Sequence, residues 1–160
     1  MIRLSLFGLL GLMTVGSSVA EATPMGIGVG AVLGEPLGFT VAYRWEEKMA
    51  VQVLNGWSVG GNGLHISGDF LYTVAEIPSD EGMGLNYPVY MGAGLRIRMS
   101  GPDTPAYKAG GSVGFRFPIV AAVTPDHIPL EVFFEMVPVW IIWPESHPSF
   151  DGGIGARLYF

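Results

Sequence analysis

The chain of 160 residues has no cysteine and few charged residues, and beyond Ala22 it has no long apolar run. The lack of cysteine excludes disulfides and thiol chemistry. Charged residues make up 14% of the chain, against about 25% in soluble proteins, while 49% of the residues are hydrophobic. No apolar segment beyond Ala22 approaches the ~20 residues that a membrane helix needs. The hydrophobic residues must therefore follow another pattern.

The N-terminal segment, residues 1–20, reads as a secretory signal. Arg3 supplies a positive charge, residues 4–15 form an apolar segment broken only by small residues, and Ser18-Val19-Ala20 forms a small-residue cleavage site, with cleavage after Ala22 as a second choice. This pattern predicts export and a single domain over residues 25–160.

The charge balance argues against nucleic-acid binding. Without Arg3, seven basic residues stand against fourteen acidic ones, a net charge of −7. The histidines at 65, 127 and 147 are too scattered for a zinc motif. We therefore expect neither a metal nor a cofactor.

The segments between turn signals alternate with a period of two. The chain has 24 Gly and 12 Pro, so turn signals recur about every dozen residues and leave no room for long helices. The alternation predicts an all-β fold with eight antiparallel strands of up-and-down order, a membrane β-barrel. The predicted strands are Met25–Leu33, Gly38–Trp45, Met49–Val59, Leu64–Val74, Pro88–Met99, Ala109–Phe117, Leu130–Trp140 and Gly152–Phe160.

The polar row of these strands decides which face points inward. It consists largely of Gly, Ser, Thr and Ala with five arginines and three acids, and it has no lysine. A narrow interior needs small residues for space and guanidinium groups that bind carboxylates. We therefore place this row inside, as a charge network of Arg44, Asp69, Arg96, Arg98, Arg116, Glu131, Glu135 and Arg157. The network predicts a plugged interior, or alternatively a narrow anion-preferring pore because arginines outnumber acids.

Aromatic residues on the apolar row predict two interfacial girdles. They are expected at the strand ends, where membrane barrels carry belts of Trp, Tyr and Phe. The predicted girdle residues are Trp45, Trp57, Tyr72, Phe117, Trp140 and Trp143.

Five segments resemble the small eight-stranded bacterial outer-membrane barrels of outer membrane protein A type. They are Gly26–Gly30 with Leu33–Pro36, Leu64–Tyr72, Tyr90–Arg96, Pro129–Glu135 and Gly152–Phe160. The resemblance implies an outer-membrane location, contact with outer-membrane lipid and a monomer. It also implies that Phe160 and Leu158, in the terminal strand, form a signal for the barrel-assembly machinery. It implies no reaction.

Two features depart from this pattern. Such barrels have short periplasmic turns, yet the intervals 75–86 and 119–128 are predicted as long connections on that side. Pro138, in the seventh predicted strand, predicts a bulge.

Two alternatives stay open beside a structural barrel without catalysis. His65 and Ser67 lie on one strand face with Asp69, which is similar to the His-x-Ser of lipid A deacylases and would suit an outer-membrane hydrolase. A soluble secreted barrel that binds a hydrophobic ligand would show the same alternation with its apolar row inward.

Overall fold

The computed structural model describes residues 23–59, 63–78, 83–100 and 110–160. The predicted signal segment lies outside them. The strands are β1 (Gly26–Glu35), β2 (Leu37–Glu46), β3 (Met49–Trp57), β4 (Gly63–Pro78), β5 (Leu85–Ser100), β6 (Ser112–Arg116), β7 (Ile119–Pro125), β8 (Leu130–Trp143) and β9 (His147–Tyr159). None of the described ranges contains a helix that is long and apolar enough to cross a membrane.

The strands close into a ring of eight antiparallel positions. Each strand from β1 to β5 pairs with the next, β8 pairs with β9, and β9 returns to β1. Both β6 and β7 pair with β5 and with β8, so these two short strands share one position. The predicted all-β, eight-stranded, up-and-down arrangement is confirmed.

The shared position is interrupted at Phe117 and Pro118. Sheet hydrogen bonds continue across the interruption, since the Phe117 N–H donates to the Pro138 carbonyl at 3.0 Å and the Gly92 N–H donates to the Pro118 carbonyl at 2.9 Å. The ring therefore stays closed where the strand itself breaks.

The predicted long connections are wrong. β4 runs on to Pro78 and β5 begins at Leu85, so half of the interval 75–86 is paired strand, with Ala75 opposite Val89. In the interval 119–128, β7 occupies residues up to Pro125. Prolines that read as turn signals lie within or at the ends of strands.

The predicted bulge at Pro138 is also wrong. The register between β8 and β9 runs unbroken through Pro138, which lies opposite Phe150. The register between β6 and β8 shifts by one residue near the end of β8, where Gly114 pairs with Ile141 but Val113 pairs with Trp143. The side chain of Pro138 points outward and its carbonyl accepts the Phe117 N–H. Because the N–H and C=O of a residue face the same partner in an antiparallel pair, the N–H that Pro138 lacks would face Phe117, where the neighbouring strand is already interrupted.

Burial alternates along the strands with polar groups inside. In β3, Gln52 is buried while its neighbours Val51 and Val53 are exposed. Among the described residues, 17 buried side chains are polar or charged and 13 are hydrophobic, whereas large apolar side chains cover the outside. Lys, Glu, Arg and Asp are almost never fully buried unless they are paired, so these interior charges need partners inside the ring.

Candidate functional site: the interior charge network

Glu131 is the centre of one group of interior contacts, which we call the Glu131 cluster. Its carboxylate accepts hydrogen bonds from Tyr90 Oη at 2.8 Å and Arg157 Nη1 at 2.9 Å. Arg44 Nη2 and Tyr159 Oη each lie 3.4 Å from a carboxylate oxygen. These donors come from β2, β5 and β9, so Glu131 on β8 joins four strands across the ring.

Arg157 contacts several interior residues through its guanidinium group. Besides Glu131, its guanidinium donates to Thr40 Oγ1 at 3.2 Å and to Gln52 Oε1, and it lies over the Phe133 ring at 4.0 Å from the centroid. Arg44 similarly lies 4.7 Å from the Tyr90 ring centroid. Arg157 and Arg44 therefore each pair with a carboxylate and lie against an aromatic ring.

Arg116 is the centre of a second group, the Arg116 cluster. Its guanidinium contacts Asp69 Oδ1 at 3.0 Å, donates to Ser67 Oγ at 2.8 Å, and lies 3.7 Å from Asp151 Oδ2. Asp69 is fixed from the other side by Gln52 Nε2 at 2.8 Å. Arg116, Asp69 and Asp151 have fully buried side chains, so their charges are compensated by one another instead of by water.

Asp151 extends the Arg116 cluster toward one end of the ring. Arg96 Nη1 donates to Asp151 Oδ1 at 2.6 Å, and Arg98 Nη2 lies 3.6 Å from the same oxygen. Arg98 also donates to Glu35 Oε1 at 2.6 Å, while Glu35 Oε2 accepts the Val59 N–H at 2.8 Å. Here the side chains are partly exposed, which marks the mouth of the interior.

Glu135 differs from the other interior acids. It is fully buried, its ion-pair contact is with Arg116 Nη2 at 3.9 Å, and neither carboxylate oxygen has a hydrogen-bond partner within the described residues. Burial without hydrogen bonds makes this charge costly to the fold.

All eight residues of the predicted network lie inside the ring, and seven of them are fully buried, with Arg98 partly exposed. Two acids were missed: Asp151 and Glu35. With them, five arginines face five acids among the described residues, so no excess of arginine favours an anion-preferring pore there. Asp151 precedes the predicted last strand, and Glu35 lies beside Pro36 in a predicted turn.

The three residues of the hydrolase alternative, His65, Ser67 and Asp69, all contact the Arg116 guanidinium. Ser67 Oγ accepts its hydrogen bond from Arg116, and His65 Nε2 lies 3.4 Å from Arg116 Nη1 and 3.9 Å from Asp151 Oδ2. Asp69 contacts Gln52 and Arg116. The carboxylate within 4 Å of the imidazole is that of Asp151, and Ser67 and His65 are buried.

The predicted girdle aromatics all point outward, but not all lie at strand ends. Trp57 and Trp143 end β3 and β8. Tyr72 is inside β4, six residues before its end, and Phe117 lies at the interruption between β6 and β7, so neither lies at an end of its ring position. The ring positions are longer than the alternation indicated, which moves both aromatics away from the ends.

The terminal strand is bonded to the first. Phe160 and Ile27 exchange two backbone hydrogen bonds of 2.9 and 3.2 Å, and the Leu158 and Phe160 side chains point outward. The terminal aromatic therefore lies at the seam where the ring closes.

Comparisons with known proteins found no match. No protein-family model matches the chain, and neither a curated protein nor a solved structure does.

Proposed function

We propose that the chain is an outer-membrane β-barrel protein with a structural role, whose interior is closed by the charge network and carries no catalysis. The observation that supports this is the inverted distribution of side chains: apolar residues outside, charged residues inside. Each large apolar side chain left in water forgoes about 1.5–3 kcal/mol of burial, and this chain exposes such side chains all around the ring. Lipid around the ring removes that cost.

The inverted distribution disfavours a soluble barrel that holds a hydrophobic ligand. Such a barrel needs an apolar interior. The interior of this ring instead buries charged side chains, among them Arg96, Arg116, Arg157, Glu131 and Glu135. A closed ring in lipid also satisfies the backbone polar groups of every strand.

The same contacts support a closed interior. The inward side chains of the two clusters are almost inaccessible to a water-sized sphere, with 2% exposure or less for Arg96, Arg116 and Arg157. Eight-stranded barrels are in general just wide enough to be filled by side chains. The ion pairs across the ring therefore act as a plug.

The outer-membrane location rests on the predicted signal segment and on the terminal strand. We expect cleavage near Ala20 or Ala22, and recognition of Leu158 and Phe160 by the barrel-assembly machinery. Deletion of Phe160 should hinder assembly in cells more than folding in detergent.

Expression with the N-terminal segment, followed by fractionation, tests this proposal. The protein should be in the outer-membrane fraction and should migrate faster on gels before heating than after, as closed barrels do. When it is reconstituted in planar bilayers, no conductance steps should appear. Recovery from the soluble periplasm would contradict the membrane assignment, and conductance steps would contradict the plug.

A further inference from the structure

A polar pocket of about 270 Å³ lies at the end of the ring where β7 connects to β8. Four of its lining residues carry polar side chains: Asn86, Thr124, Asp126 and His127. The rest of the lining consists of three prolines and one isoleucine. Its volume is below the range of about 300–1,000 Å³ found for drug-sized ligands, so the pocket suits a smaller molecule.

Thr124 is the most buried residue of the lining, with 2% of its surface exposed. It continues the inward row of β7 after Val120 and Ala122. Its Oγ1 is buried and has no hydrogen-bond partner among the described residues. Buried hydroxyl groups are normally hydrogen-bonded, so this one indicates a partner that the described part of the chain does not supply.

Asp126 is fixed in position through its backbone and one carboxylate oxygen. Its N–H donates to the Gly84 carbonyl at 2.9 Å, and its Oδ1 accepts from Asn86 Nδ2 at 2.8 Å. A Cβ at position 84 would lie 3.3 Å from Asp126 Oδ2 and 3.8 Å from His127 Nε2, and the φ of +59° at Gly84 favours glycine. Gly84 therefore leaves space next to the second carboxylate oxygen and the imidazole.

The polar groups that remain for a ligand are mainly acceptors. Asn86 Nδ2 and the Asp126 N–H already donate to protein acceptors, and the three prolines of the lining have no N–H. Asp126 Oδ2 and Thr124 Oγ1 can each accept a hydrogen bond. A carboxylate with so few donors around it favours a cation and repels an anion. A metal ion fits less well, because no described part of the chain brings together three side chains of metal-ligand type.

We propose that this pocket binds a primary ammonium group carried on a short aliphatic chain. An ammonium group has three donors, which suit Asp126 Oδ2 and Thr124 Oγ1. The aliphatic part would lie against Ile128 and the prolines at 24 and 129. The inference does not depend on the membrane assignment, because the pocket lies at the connection between two strands and not on the apolar outward face.

Titration with n-butylammonium in detergent micelles tests the site, with NMR of the Ile128 and Thr124 methyl groups as the readout. Both resonances should shift until the site is saturated, whereas butyrate should leave them unchanged. Asp126→Asn removes the charge at constant size and should weaken binding at least about tenfold, since hydrogen bonds to charged groups are the stronger ones. Thr124→Val removes the hydroxyl and should weaken binding about fivefold, read from Ile128.

Glu47→Gln is the matched control. It removes one exposed carboxylate at the same end of the ring, in the turn between β2 and β3, and should leave the affinity unchanged. Equal losses in Asp126→Asn and Glu47→Gln would overturn the proposal, because butylammonium would then respond to the overall negative charge of the chain. Neutral butanol binding as tightly as butylammonium would also overturn it, as would the lack of a saturable shift in the wild-type protein.

Folding of each variant is checked by its heat-dependent migration on gels. If Asp126→Asn fails to fold, Thr124→Val decides, and an unchanged affinity in that variant would overturn the proposal. None of these results bears on whether the outward face of the ring lies in lipid.

Discussion

Glu131→Gln should lower the free energy of unfolding by about 3–5 kcal/mol, the usual cost of removing one partner from a buried ion pair. Glu131 accepts from two tyrosines and pairs with Arg44 and Arg157. The amide leaves both guanidinium groups buried without their carboxylate. Urea unfolding in detergent micelles, followed by tryptophan fluorescence, measures the change.

Glu135→Gln is the matched control. It changes the same group on the same face of β8, four residues further on, but this carboxylate has no hydrogen-bond donor among the described residues. We expect a cost below about 1 kcal/mol, or a gain, because an unbonded buried charge is removed. A double variant with Arg44→Met should recover part of the loss at Glu131. Equal losses of unfolding free energy in Glu131→Gln and Glu135→Gln would contradict the role of the Glu131 cluster in stabilising the ring.

Val53→Arg should destabilise the protein in a bilayer by about 2–4 kcal/mol, the cost of an arginine on the lipid face near the bilayer midplane. Val53 is in the middle of β3 and points outward, with 51% of its surface exposed. In a soluble protein the same change would stay within about 0.5 kcal/mol. Unfolding by denaturant in lipid vesicles measures the difference.

Glu46→Arg provides the control at the end of β2, where the side chain is exposed beside the turn to β3. Arginine should cost little there, because the cost of a charged side chain falls to about 0–1 kcal/mol near the interface. Equal effects at Val53 and Glu46 would mean that β3 does not face hydrocarbon.

The alternation of apolar and polar residues was enough to predict the ring and its inward face. Its period of two assigns each residue to a side, so Arg116 and Glu135 could be placed inside before any contact was known. The absence of lysine from the polar row favoured the interior. Lys48 lies between β2 and β3, and Lys108 falls outside the described residues.

Strand ends could not be predicted in the same way. Proline reads as a turn signal, yet whether it breaks a strand depends on which way its missing N–H would have pointed and on the partner strand. Pro138 lies within β8 without a break, whereas Pro118 separates β6 from β7. Such differences arise from pairing between strands, which a local pattern does not contain.

Contacts across the ring could likewise not be predicted from the sequence. Asp151 joined no predicted strand, although it contacts Arg96 at 2.6 Å and lies 3.9 Å from His65. The partner of each interior charge depends on the strand register around the whole ring. The alternation predicts which residues face the interior, but only the closed fold shows which of them form ion pairs.

The most direct test of lipid contact uses the four tryptophans, Trp45, Trp57, Trp140 and Trp143, all of which are exposed on the outside of the ring. Their fluorescence reports on the outward face alone. In vesicles of phosphatidylcholine with brominated acyl chains, we expect strong quenching, greatest when the bromines are near the headgroup, as two girdles at the interfaces require. Emission that is unchanged by bromines at every depth would contradict the placement of the apolar face in lipid.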